Sequence, residues 1–151
     1  MFATRKVPEV SVGRVYILEL TLDDMEVVYK IGMCFAPRST DRMMEILRSW
    51  FMAYRYIPFT RSKLDFETGV PYLLEQHLHE LLAEWKWVPE KKTDGHTELF
   101  KDIDVEEVIS YIKNINYKVL LPKGSKPIST EDYNYILSKS AVEFVEQDIP
   151  Y

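Results

Sequence analysis

Seven basic side chains crowd the segment from Lys30 to Lys63: Lys30, Arg38, Arg42, Arg48, Arg55, Arg61 and Lys63. Only Asp41 and Glu45 oppose them there. Five of the seven are arginines, whose planar fork matches phosphate oxygens. The chain as a whole carries −5, which argues against a generic nucleic-acid binder, but residues 1–63 balance to +3 and residues 64–151 to −8. Two readings stay open on charge alone: a solvated basic face, or a local phosphate-binding surface on an acidic protein. Farther along, Glu75 and His79 are four residues apart, so a helix stacks them on one flank. His77 and His79 fall on different helix faces, and with Cys34 as the lone cysteine there is no zinc-binding set. Glu98 reads as a strand-edge charge or as a second acidic ligand.

These groups need elements to position them. Arg14 to Leu20 and Val27 to Gly32 are rich in β-branched and aromatic residues and are expected to form an antiparallel hairpin. Alternation puts Tyr16, Leu18 and Leu20 on one face of the first strand and Val15, Ile17 and Glu19 on the other. In the second strand Val28, Lys30 and Gly32 share one face, and Val27, Tyr29 and Ile31 the other. A helix is expected from about Asp41 to Tyr54, with Met43, Leu47, Trp50 and Tyr54 as its apolar stripe and Arg42 near its anion-favouring start. Arg55 to Phe59 is read as a third strand and Arg61 to Gly69 as a polar loop. A second helix is expected from Pro71 to about Trp87, with Leu74, Leu78, Leu81 and Trp85 as its core stripe. Glu98 to Lys101 reads as a short strand, Asp104 and Glu107 as a capping box opening a third helix, and Lys118 to Leu121 as a last strand. Thr130 to Lys139 reads as a weak helix in the tail.

The bulk properties fit one globular domain. A 151-residue chain with 46% hydrophobic and 28% charged residues buries a real core without disulfide staples. No apolar run approaches the ~20 residues of a membrane span, and Arg5 and Lys6 precede no signal-like apolar stretch, so a cytoplasmic location is expected.

The ordered set VYIL at Val15 to Leu18, YKIG at Tyr29 to Gly32, DRM at Asp41 to Met43, LEQHLHELL at Leu74 to Leu82 and TELF at Thr97 to Phe100 resembles the GIY-YIG nuclease superfamily. It is most similar to the branch of phages and mobile elements whose second motif reads Lys-Ile-Gly, described as a phage DNA-binding domain. The resemblance runs from about Gly13 to Ile112. It implies an α+β fold, a small, mainly antiparallel three-stranded sheet flanked by helices. The domain would span residues 13–121, between an N-terminal extension (1–12) and a C-terminal tail (122–151).

The chemistry implied by the resemblance is metal-dependent hydrolysis of DNA phosphodiester bonds. Glu75 would hold one Mg²⁺ or Mn²⁺, an ion that keeps several waters and accepts substrate phosphate as a further ligand. Tyr16 would position or deprotonate the attacking water, with Lys30 as a nearby cation, and Arg42 would hold the non-bridging oxygens. His79 would orient the site or shuttle a proton, and Gly32 would let the backbone approach the substrate. Arg38, Arg48, Arg55, Arg61 and Lys63 would contact the DNA backbone. Cutting both strands would favour a homodimer or successive nicks. Lys30 takes the slot of the second motif's tyrosine, which motivates the alternative of a catalytically weak or inactive DNA-binding module. The acidic second half motivates a third reading, a phage-encoded protein-interaction factor working in the host cytoplasm.

Overall fold

Two strands of alternating apolar residues meet across a five-residue turn, and the rest of the sheet grows outward from them. A computed structural model describes residues 12–35, 40–93, 97–120, 131, 134 and 141–143. Within these, β1 (Gly13–Thr21) pairs antiparallel with β2 (Val27–Cys34), with Tyr16 opposite Gly32 and Leu18 opposite Lys30. The amide of Leu22 closes the turn on the carbonyl of Glu26 at 2.8 Å. Then follow α1 (Thr40–Tyr54), β3 (Phe59–Thr68), α2 (Pro71–Leu81), β4 (Leu99–Lys101), α3 (Val105–Lys113) and β5 (Ala141–Glu143). The sheet order is β4-β2-β1-β3-β5, antiparallel throughout. The expected three-stranded core is therefore present as β2-β1-β3, with a three-residue strand added at each edge.

The two faces of the sheet carry separate cores. On one, Val15, Ile17, Ile31, Leu64 and Phe66 meet Leu74 and Leu78 of α2 and Val105, Ile109 and Ile112 of α3. On the other, Tyr16, Leu18, Leu20 and Val28 meet Met43, Ile46, Leu47 and Trp50 of α1. Helix α3 begins as its capping box predicts, the Asp104 carboxylate accepting the Glu107 amide at 3.2 Å. Among the described residues no helix is long and apolar enough to cross a membrane.

Four expectations fail, each for a tertiary reason. The third strand is not Arg55 to Phe59: Arg55 adopts φ 65° and ends α1, its amide bonded to the Phe51 carbonyl at 2.8 Å. The strand is instead Phe59–Thr68, across the segment read as a polar loop, because backbone pairing to β1 decides what its side chains leave ambiguous. Its register shifts once, opposite Ile17/Leu18, where Lys63 is the extra residue. Helix α2 stops at Leu81 rather than Trp87, because the chain turns to run beside β4: Lys86 bridges Phe100 and the Trp87 amide reaches the Leu99 carbonyl at 2.9 Å. Leu81 and Trp85 are accordingly exposed rather than core. Finally, Tyr117–Leu120 forms a 3₁₀ turn in place of the expected last strand, with Leu120 tucked into the α2–α3 core. Of the expected tail helix, residues 131 and 134 are helical and the remainder lies outside the described residues.

Candidate active site

The face of β1 and β2 under α1 is not purely apolar. Tyr16 is fully buried there, directly across from Gly32. A Cβ at position 32 would lie 2.5 Å from the tyrosine oxygen and 2.7 Å from Cζ, so glycine is what lets the ring lie across the strand. The Tyr16 hydroxyl makes no hydrogen bond of proper geometry with any described residue. Burial pushes its pKa well above the usual phenol value; the charge and hydrogen-bonding reach of the Arg42 guanidinium pull the other way.

Lys30 lies on the same face and is fully buried. Its ammonium is ion-paired with Glu98, the residue leading into β4. Burial lowers the Lys30 pKa, and the Glu98 carboxylate resists that shift.

How Glu75, on the α2 side, reaches this group follows from the edge of β2. Strand β4 pairs with β2 only over Val28 to Lys30, and the Ile31 amide donates to the Glu98 carbonyl at 3.1 Å. Past that point, among the described residues, the edge of β2 has no strand neighbour, and α2 lies beside it. His79 Nε2–H donates to the Ile31 carbonyl at 2.8 Å, which fixes that nitrogen as the protonated one. The Met33 amide stands near enough to the Glu75 carboxylate to favour its ionised form. The four-residue spacing of Glu75 and His79 thus matches the two-residue step from Ile31 to Met33 along an open strand edge.

Glu75 is 5% exposed. Burial, and next the negative charge of Glu98, raise its pKa to about 7; the Gln76 amide at 3.2 Å, Lys30 and the Met33 amide oppose the shift. Burial also holds the His79 pKa below the usual imidazole value, against the Ile31 carbonyl and Glu98. Arg42, in the first turn of α1, is half-buried, with Nη1 3.5 Å from Glu45.

Tyr16, Lys30, Gly32, Arg42, Glu75 and His79 therefore gather at one end of β2, brought there by β1, β2, α1 and α2. Glu98 is the residue that sequence reasoning undervalued: its charge acts on Tyr16, Lys30, Glu75 and His79 alike. Only its place in the TELF segment marked it. Arg14 was missed outright. It is buried on the Tyr16 face, 2.5 Å from Asp65 and 3.5 Å from Glu67. A charged residue at a core-facing position of the alternation was the available signal.

The basic segment does not form one strip with this cluster. Arg48 is exposed on α1, and Arg55 lies just past its end. Arg61 stands over the Phe59 ring at 5.8 Å and opposite Glu19 in register. Lys63 is buried, 4.0 Å from Glu106 of α3. Arg61 and Lys63 so belong to the α2–α3 side of the sheet. Arg38 lies outside the described residues. Among the described residues no three His, Cys, Asp or Glu side chains converge into a ready-made cation cage.

A family model, the T5orf172 domain, matches residues 13–116. This is a phage-associated domain related to the GIY-YIG nuclease-like fold. No curated protein and no solved structure matches the chain.

Proposed function

The chain belongs to the T5orf172 domain family, and from that premise we propose that it is a metal-dependent DNA endonuclease of GIY-YIG type. The observation that carries the proposal is the electrostatic cluster of Tyr16, Lys30, Arg42, Glu75 and Glu98, drawn from separate elements to one end of β2. Buried charges that perturb one another are characteristic of sites that do chemistry.

One Mg²⁺ or Mn²⁺ fits the residues present. Glu75 is a carboxylate that burial and Glu98 hold back from ionising, and a divalent cation would relieve both. Glu75 would be its protein ligand, with water and phosphate oxygens completing the shell. When bound, such an ion neutralises charge on the leaving oxygen.

The chain's own residues supply the rest. Arg42, half-exposed at the start of α1, binds the non-bridging oxygens as their charge grows. Tyr16 orients the attacking water by its hydroxyl rather than taking its proton, since burial keeps the phenol from ionising near neutral pH. Lys30 balances Glu98, and so sets how much negative charge Glu75 meets. His79 is a positioning residue, with Nε2–H on the Ile31 carbonyl. Arg48 and Arg55 would extend the cationic surface along α1.

A second reading is favoured by a specific pair of facts. Tyr16 is fully buried and Lys30 is already spoken for by Glu98, which is what a DNA-binding module without turnover would show. Nicking of supercoiled plasmid at low salt with Mn²⁺, by wild type and Glu75→Ala, separates the two. Cleavage by wild type alone is the endonuclease result. No cleavage by either protein, with a salt-sensitive gel shift retained in both, is the binding-module result. Neither cleavage nor a shift defeats both readings.

A further inference from the structure

The exposed Leu81 and Trp85 have a setting. Together with Leu78 and Leu82 of the same stretch they form one wall of a cleft of about 370 Å³, and Ile103, Val108 and Tyr111 form the other. Leu78 is buried at the floor, while Leu81, Trp85 and Tyr111 remain 47%, 39% and 39% exposed at the lips. The cleft exists because α2 ends at Leu81, where the chain swings toward β4, so that side chains spaced for a core stripe are left facing solvent. Its rim is of one sign. Asp102, Asp104 and Glu107 line it, and no Lys, Arg or His is among the described residues of the lining. Asp102 has φ 64°, the left-handed turn that carries β4 into α3, and the Asp104 carboxylate also caps α3.

We propose that this cleft is a docking site for a basic amphipathic helix of a partner protein. The lining on the α3 side runs from Asp104 to Tyr111, about 10 Å along a helix, which matches about two turns of a bound helix. Two bulky apolar side chains one turn apart would enter between Leu81, Trp85 and Tyr111, as in other helix-in-groove complexes. Lysines or arginines flanking them would meet Asp102, Asp104 and Glu107. The cleft opens on the α3 side of α2, so occupancy leaves Tyr16 beneath α1 and Arg42 in its first turn untouched. The inference stands whether or not the chain cleaves DNA.

The test uses a fluorescein-labelled, alanine-based helical peptide of about 14 residues, with two leucines one turn apart and flanking lysines. Its anisotropy is titrated with the full chain at low ionic strength. Wild type should bind it, and the same peptide with glutamates in place of lysines should not. Asp102→Asn with Glu107→Gln should weaken binding by about tenfold and flatten its salt dependence; asparagine tolerates the left-handed backbone at 102. Leu81→Ser with Trp85→Ala, at two exposed positions, should weaken it comparably. Asp23→Asn with Glu90→Gln removes equal charge elsewhere and should change nothing. Absence of binding, or equal weakening by the Asp23/Glu90 pair, overturns the proposal. So does sedimentation showing a dimer that the Asp102/Glu107 pair dissolves, which would assign the cleft to a second copy of this chain.

Discussion

On the α2–α3 face of the sheet, Val15, Ile17, Ile31, Leu64 and Phe66 pack against aliphatic side chains, and the buried charge of Lys63 lies at the margin of that face beside Glu106. On the α1 face, at the same depth, stand Tyr16, whose buried hydroxyl makes no well-formed hydrogen bond with any described residue, and Lys30 with a buried charge. Phenylalanine and leucine would fill the second face at less cost, since a buried hydroxyl without a hydrogen bond costs about 1–3 kcal/mol. The first face packs its centre with apolar side chains alone. The other gives up stability to hold polar groups where α2 crosses the edge of β2. Mutations should therefore separate stability from activity face by face.

The sharpest separation is expected at Tyr16. Tyr16→Phe should lower DNA nicking by about 100-fold or more while the urea midpoint stays level or rises, because the removed hydroxyl makes no well-formed hydrogen bond with any described residue. A lowered midpoint would mean the hydroxyl is structural. The opposite face should give the opposite result. Ile109→Ala, in the apolar cluster, should cost about 2–4 kcal/mol in urea melts and leave nicking by the folded protein unchanged.

Within the α1 face, the Lys30–Glu98 pair should respond unequally to loss of either partner. Glu98→Gln strands the charge of a fully buried lysine and should cost about 3 kcal/mol. Lys30→Met leaves Glu98, whose side chain is 26% exposed and can hydrate, and should cost under about 1 kcal/mol. Equal costs would contradict the burial asymmetry.

The effect at Glu75 depends on pH. Its carboxyl titrates at about 7 in the folded chain against an ordinary 4.5. The fold thus favours the protonated form; that contribution is complete below about 4.5 and is lost as pH rises through 7. Glu75→Gln stays neutral throughout. Without metal it should exceed wild type by about 1–2 kcal/mol near pH 8, allowing for solvent screening at the open side of the site, and lose that advantage in acid. Chemical denaturation across this range gives the answer.

Much of this arrangement was legible because it is local. The faces of the hairpin, the stripe of α1 and the cap of α3 follow from periods of two and 3.6 and from one aspartate, and all are found. The stacking of Glu75 on His79 was legible too, but not its purpose, which depends on β4 ending before Ile31. Strand β3 was hidden because the charges of Arg61, Lys63, Asp65 and Glu67 at every second position leave only Leu64 and Phe66 as apolar residues between them, and its place beside β1 is a long-range choice. Glu98 was hidden for a similar reason. A glutamate before a three-residue strand carries no mark of the lysine it meets, 68 positions away in the chain. Leu81 and Trp85 had the spacing of core residues and lost that role when α2 stopped short.

The most direct measurement is binding of Mn²⁺ to the full chain, followed by electron paramagnetic resonance at about pH 8, for wild type and Glu75→Gln. One ion bound by wild type and lost in the variant is the expected result. Equal binding by both, or none by wild type, would contradict a metal site anchored on Glu75.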